Sequence, residues 1–272
     1  MSNDFSVVIP NYNNETFLTQ CVESIYNQTL IPKEIIIIDD CSTDNSKEVI
    51  LSLSHRFENL RYYFFEKNFG VSCARNKGIE LCTTKYITFL DSDDFLYNKN
   101  KYMNEMKLIE NINDKYECLV YSPFIRVDYY GKVIKQKKIK KFRCVGKKPK
   151  LDLLSYDKAY FIPADFMVKV ELLKRIGAYS FQINLYEDLD LLVRLSFLCK
   201  FYCTYEYGKA YRFNPNGLSK QKEEAHRIAF LKIYNSYYYQ LTFIEKIIML
   251  IKKIKKNLFK ILKKIIKLFL IK

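Results

Sequence analysis

Three carboxylates stand within four residues at Asp91-Ser92-Asp93-Asp94, directly behind the apolar run Tyr86-Ile87-Thr88-Phe89-Leu90. Such a run reads as a buried strand. Carboxylates crowded at a strand end repel one another unless a cation is shared between them. Hard oxygen ligands suit Mg2+ or Mn2+, which take one or two carboxylates and complete their shell with phosphate and water. The competing reading is an Asp that caps a helix beginning near Tyr97. Two more strand-like runs end in polar groups: Phe5 to Pro10 before Asn11-Tyr12-Asn13-Asn14, and Ile35 to Ile38 before Asp39-Asp40. Ligands of open α/β sheets sit beyond the carboxyl ends of the strands. Three polar strand ends on one sheet edge are therefore a stronger signal than any one motif.

The elements that must position these groups alternate through the first ninety residues. Helical spacing runs from Phe17 to Gln28 through Leu18, Cys21, Val22 and Ile25. Ser42-Thr43-Asp44 supplies cap chemistry for a helix from Lys47 to Leu53. Arg61 to Phe65 reads as a third strand and Ser72 to Leu81 as a helix. Strands that are apolar on both faces, alternating with helices, imply an α/β fold with a mostly parallel sheet. Further on, the pattern predicts a helix from Lys101 to Glu110, one strand from Glu117 to Ile125 and a hairpin turn at Asp128 to Lys132. A helix opened by Glu187-Asp188 then spans Leu185 to Phe197, followed by a strand from Phe201 to Tyr207.

The chain has 272 residues, of which 49% are hydrophobic, enough for a sizeable core. Its net charge of +15 is unevenly spread. Residues 132–150 hold ten basic side chains and no acid, and residues 245–272 hold ten lysines against one Glu. The remainder is net acidic, which argues against nucleic acid as a partner. The eight cysteines form no C-x-x-C pair, which speaks against a zinc site or a disulfide framework and for a reducing cytoplasm. Neither a signal peptide nor an uncharged run of the ~20 residues that a membrane span needs is visible.

Five blocks occur in order: Val7-Val8-Ile9-Pro10-Asn11-Tyr12-Asn13, Ile38-Asp39-Asp40-Cys41-Ser42-Thr43-Asp44, Asn68-Phe69-Gly70-Val71-Ser72-Cys73-Ala74-Arg75-Asn76, Leu90-Asp91-Ser92-Asp93-Asp94 and Glu187-Asp188. With these blocks the chain resembles the family 2 glycosyltransferases over residues 4 to 219. The resemblance implies a GT-A fold: a single mostly parallel twisted sheet flanked by helices, here followed by a C-terminal amphipathic basic helix. It divides the chain into a transferase domain at 1–219 (nucleotide-binding half 1–95, acceptor half 96–219), a helical connector at 220–240 and a basic tail at 241–272.

The resemblance also implies an inverting transfer from a UDP-sugar to a hydroxyl of a glycan or lipid-linked acceptor, of the kind used in bacterial surface glycan assembly. Carried over by position, Tyr12 and Asp40 line the uracil pocket with Asp39 beside them, and Pro10, Arg75 and Ser92 also belong to the donor site. Asp91 approaches the ribose, and Asp93 binds a Mn2+ or Mg2+ ion with Asp91 as a second candidate ligand. Asp188 is the general base, with Glu187 next to it. A carboxylate base is economical, since His55 and His226, the two histidines, fall in no motif.

The sequence departs from the family pattern at Cys41, where Gly is usual, and at Asn214, where His is frequent; Asn214 stays a candidate ligand through its amide oxygen. With no Trp, the chain lacks the Q-x-x-R-W motif of processive synthases, and the addition of one or a few sugars is expected. A nucleotidyltransferase of related fold is the alternative enzyme, but it would need a Gly-rich loop where Pro10-Asn11-Tyr12-Asn13-Asn14 stands. A non-catalytic membrane-associated scaffold is the other.

In the tail, Ile247, Ile251, Ile254, Leu258, Ile261, Leu262, Ile265 and Phe269 recur at helical spacing, with lysines on the other face. That pattern suits an interfacial helix on an anionic membrane surface, which would place the enzyme on the inner face of the cytoplasmic membrane. The competing reading packs the stripe on the catalytic domain or a partner subunit.

Overall fold

The computed structural model describes residues 2–112, 117–134, 149–155, 165–183, 185–214 and 223–254. The chain opens with β1 (Phe5–Asn11), α1 (Glu15–Tyr26), β2 (Glu34–Asp39), α2 (Ser46–Arg56), β3 (Leu60–Phe64), α3 (Val71–Leu81) and β4 (Tyr86–Phe89). It continues through β5 (Phe95–Leu96), α4 (Lys101–Ile112), β6 (Cys118–Tyr121), β7 (Phe124–Val127), α5 (Lys150–Leu154), β8 (Met167–Lys169) and α6 (Val170–Arg175). The described elements end with α7 (Glu187–Leu198), β9 (Lys200–Cys203), β10 (Lys209–Arg212), α8 (Glu223–Tyr238) and a helical segment at 243–254.

Seven strands form the main sheet in the order β3-β2-β1-β4-β8-β6-β9. All neighbours pair in parallel except those of β8, which runs against both β4 and β6. Every residue of β1 and β2 is buried, as the unbroken apolar runs Val7 to Pro10 and Ile35 to Ile38 require of a sheet covered on both faces. Strand alternation sorts these side chains into two layers. Val7, Ile9, Ile35 and Ile37 pack under α1 and α2 with Leu18, Val22, Ile50 and Leu53. Val8, Ile36, Ile38, Ile87 and Phe89 pack on the opposite side with α3 and α7.

Helix α3 comes close to β1 because Gly78 has no side chain. A β-carbon there would lie 2.3 Å from Val8 Cγ1. Gly78→Ala is expected to cost about 1–3 kcal/mol through overpacking, measured by chemical denaturation.

The strands and helices expected in the first ninety residues agree with the structure within two residues, except that α2 runs three residues past the expected end at Leu53, to Arg56. The strand expected over Glu117 to Ile125 does not run through. Pro123 divides it into β6, in the main sheet, and β7, in a separate three-stranded sheet of order β5-β10-β7. Pro lacks the N–H that a central strand needs, so the chain leaves the main sheet there. The turn at 128–132 is present: Asp128 N–H donates to the Lys132 carbonyl, and Gly131 takes φ 85°.

The connector is packed on the domain rather than hanging from it. Ile233 of α8, Leu241 and Met249 join the core layer around α7, and Tyr237 Oη donates to Asp190 of α7 at 2.6 Å. Ion pairs Lys150–Glu245 and Lys252–Asp152 fix the segment 243–254 beside α5.

Candidate active site

Parallel pairing delivers the carboxyl ends of β1, β2 and β4 to one edge, where side chains tie their loops together. Asp39 closes β2, and its carboxylate accepts Asn11 Nδ2 at 2.8 Å, the Ser42 N–H at 2.9 Å and the Ser42 hydroxyl at 2.6 Å. Asp40 accepts the backbone N–H groups of Phe69 and Gly70, both at 2.7 Å, and so fixes the entry into α3. Burial, with the charge of Asp39 beside it, holds the Asp40 carboxyl above its ordinary value despite those two donors. Tyr12, at 46% exposure, is the open member of this group; Pro10 is buried within β1. Cys41 turns through the left-handed region at φ 61°, a conformation that costs a residue with a β-carbon about 1–2 kcal/mol. This explains why Gly is usual there.

The first loop also reaches the carboxylate cluster, since Asn14 Nδ2 donates to the Ser92 hydroxyl at 2.9 Å. Ser92 is buried and serves this loop contact. Arg75, on α3, joins two regions that lie far apart in the sequence. Its Nη2 donates to Asp91 Oδ1 at 2.7 Å and its Nη1 to Glu187 Oε1 at 2.8 Å, while the guanidinium lies 5.2 Å from the Tyr179 ring centre. The Arg75 side chain is 5% exposed, and both of its ion pairs are made inside the domain.

Helix α7 begins directly behind Tyr186, which is held at φ 67°. Glu187, Asp188 and Asp190 fill its first turn, where the helix dipole favours negative charge. Asp188 Oδ1 accepts the Leu189 N–H at 2.7 Å. Burial first, and then the neighbouring Glu187, push the Asp188 carboxyl up to about 6 against the pull of Arg75. Such a group is ionised at neutral pH and basic enough to accept a proton from a hydroxyl.

Asn214 Nδ2 lies 3.4 Å from Asp93 Oδ2. Burial and then the charge of Asp91 hold the Asp93 carboxyl above its ordinary value. Burial acts the same way on Asp91, but Arg75 and Lys209 overcome it and keep Asp91 ionised below the usual range. A divalent cation would relieve this repulsion. Among the described residues no three His, Cys, Asp or Glu side chains gather into a closed cage. Any cation here would therefore depend on one or two carboxylates and take the rest of its shell from phosphate and water.

Asp94 is not the cap of a following helix. Its Oδ1 accepts the Arg212 N–H at 2.8 Å and its Oδ2 pairs with Lys209 at 2.8 Å, so the side chain faces β10 instead. Sequence reasoning misses Arg212 and Lys209. Arg212 stands in the same short run as Asn214, yet nothing local marks it as a partner of residues 93 and 94.

The model of the family described as glycosyl transferase family 2 matches residues 6–177. An uncharacterized glycosyltransferase of Escherichia coli, YibD, is 44% identical over 96 residues, covering 35% of this chain and 28% of that protein. TuaG of Bacillus subtilis, a putative teichuronic acid biosynthesis glycosyltransferase, is 34% identical over 104 residues, covering 38% of this chain and 41% of that protein. The chain thus spans well under half the length of these curated relatives. Among solved structures, S. aureus TarS 1-349 in complex with UDP-GlcNAc superposes with a TM-score of 0.66 at 20% identity, over 83% of this chain and 65% of that one. At that identity the likeness speaks for the fold.

Proposed function

The chain belongs to glycosyl transferase family 2, and from that premise we propose that it transfers a sugar, with inversion, from a UDP-sugar to a hydroxyl of a bacterial surface glycan or its lipid-linked precursor. The observation that carries this reading is the Asp91–Arg75–Glu187 bridge, which ties the first turn of α7 to the carboxylate cluster; Asp188, next to Glu187, has its carboxyl raised to about 6 and supports the role of base. The names of relatives point the same way: one structure of TarS holds UDP-GlcNAc, and TuaG is assigned to teichuronic acid synthesis.

Tyr12, just past the end of β1, would lie against the uracil of the donor, with Asp40 lining the same pocket and Asp39 beside it. Asp93, with Asp91, would hold a Mn2+ or Mg2+ ion on the donor diphosphate, and Asn214 supports Asp93. When bound, the ion neutralises charge that develops on the leaving nucleoside diphosphate. Asp188 accepts the proton of the acceptor hydroxyl as the bond to the anomeric carbon forms. Attack from the face opposite the diphosphate makes an α-linked donor yield a β-linked product.

The test is UDP release from a panel of UDP-sugars with a glycan acceptor, with and without Mn2+, and NMR of the product anomer. Metal-dependent release with inversion supports the reading; a retained anomer contradicts it.

The tail supports a peripheral attachment to the inner face of the cytoplasmic membrane. Among the described residues no helix is long and apolar enough to cross a membrane. In segment 243–254, Met249 faces the domain, whereas Phe243, Ile247, Ile251 and Ile254 are exposed. The apolar stripe therefore points outward as far as Ile254; Leu258 to Phe269 lie outside the described residues. Ile247→Glu with Ile251→Glu is expected to abolish co-sedimentation with anionic vesicles while UDP affinity is unchanged. Full co-sedimentation of that variant contradicts the anchor.

A further inference from the structure

We propose that Arg212 and Lys209 of β10 are positioning residues that hold the Asp91–Asp94 turn in the shape from which Asp93 presents its carboxylate to the donor's metal and diphosphate. The inference rests on the donor-site reading above and adds the device that holds its charged end.

The turn is the junction between the two sheets. It leaves the main sheet at β4 and enters the small sheet at β5, which pairs with β10 through Phe95–Ala210 and Leu96–Lys209. Two flanking strands of four and two residues cannot by themselves fix a loop that carries three like charges.

Arg212 reaches the turn by backbone and side chain together. Its N–H donates to Asp94 Oδ1 at 2.8 Å and its Nε to the Asp93 carbonyl at 2.7 Å. The remaining guanidinium donors go to the Tyr129 carbonyl and, at 2.6 Å, to Gln20 Oε1 of α1. Phe17 lies 4.4 Å from the guanidinium carbon. One buried side chain thus ties the backbone of Asp93 to α1 and to the 128–132 turn. The fork geometry of a guanidinium makes three such directions possible at once, and an ammonium cannot reproduce them.

Lys209, three residues earlier and so on the other face of β10, pairs with Asp94 at 2.8 Å and lies 3.8 Å from Asp165. Asp165 in turn meets Lys101 at 3.3 Å, and Lys101 donates to both oxygens of Glu105 at 2.8 and 2.9 Å. All five side chains are almost fully buried. Gly208 leaves the room: a β-carbon there would lie 2.9 Å from Lys101 Cε. A buried ionic chain is a poor source of net stability but fixes its members in one arrangement, and it ends here on the carboxylate next to Asp93.

The experiment titrates Mn2+ into the full chain at saturating UDP by calorimetry, and separately titrates UDP in EDTA. Arg212→Lys and Lys209→Met are each expected to raise the apparent Mn2+ Kd by about tenfold or more, as loss of groups that orient a metal ligand does. UDP affinity in EDTA is expected to be unchanged. A purely structural role would lower Tm and leave the Mn2+ affinity of the folded protein as it was, which would overturn the proposal. Gln20→Ala removes one exposed partner of Arg212 and is expected to shift Mn2+ affinity in the same direction by less. Wild-type Mn2+ affinity in Gln20→Ala, should the other two variants not fold, also overturns it. If the wild type itself shows no Mn2+-dependent UDP binding, the donor-site reading fails first and the positioning role falls with it. If the wild type binds Mn2+ with UDP and the variants match it, the positioning role alone fails.

Discussion

Asp188→Asn is expected to lower kcat by about 10²- to 10⁴-fold, the range that a positioned general base contributes. The substitution keeps the shape of the side chain and the acceptor for the Leu189 N–H, so the fold and the KM for donor should change little. What it removes is the capacity to take a proton. The wild-type carboxyl sits at about 6 because burial and Glu187 disfavour its charged form more than Arg75 favours it. The active form is the deprotonated one, so wild-type kcat/KM should rise with pH through about 6 and then level off. Below that value it should fall about tenfold per pH unit, as titration of a single group requires. In Asp188→Asn this acidic limb should be absent. Initial rates of UDP release between about pH 4.5 and 8 measure both effects; a variant with the wild-type rate and the same limb would remove Asp188 from the mechanism.

Asp93→Asn is expected to cost about 10³-fold or more in kcat/KM at fixed Mn2+, since stabilisation of a leaving diphosphate by a metal is worth several kcal/mol. The amide retains one oxygen but loses the charge that offsets the cation. Asp91 compensates only in part, because its Oδ1 is already committed to Arg75. The loss should be partly recovered by raising Mn2+ concentration, which separates a weakened metal site from a distorted loop. Rates measured across a Mn2+ series give the answer, and a variant with wild-type Mn2+ dependence would rule out Asp93 as the ligand.

The parts of the site that can be read from the chain are those coded locally. Continuous apolar runs at Val7 to Pro10 and Ile35 to Ile38, alternating with helical segments, fit a sheet covered on both faces, and parallel strands open their carboxyl ends to the same edge. The residue pattern alone therefore brings Asp39, Asp91 and Asp93 to one edge. The acceptor half is harder, because β8 and β10 have three and four residues, too few to show a period. Their place depends on partners far along the chain, such as Ile87 for Val168 and Ile125 for Ala210. The same is true of side-chain roles. Arg75 is in a recognisable block, yet its bond to Glu187 joins residues 112 positions apart. Asp94 resembles a cap because caps are local, whereas its real partners lie on β10.

Metal-dependent binding of a UDP-sugar is tested with fewest intermediate steps by the thermal stability of the full chain with UDP-sugars, each with and without Mn2+. A ligand that binds only the native state raises Tm, and the rise grows with the logarithm of its concentration over its Kd. At least one UDP-sugar is expected to raise Tm when Mn2+ is present and much less in EDTA, and Asp93→Asn is expected to lose the metal-dependent part of the rise. Equal stabilisation with and without metal, or none by any UDP-sugar, would contradict a donor site built on Asp93.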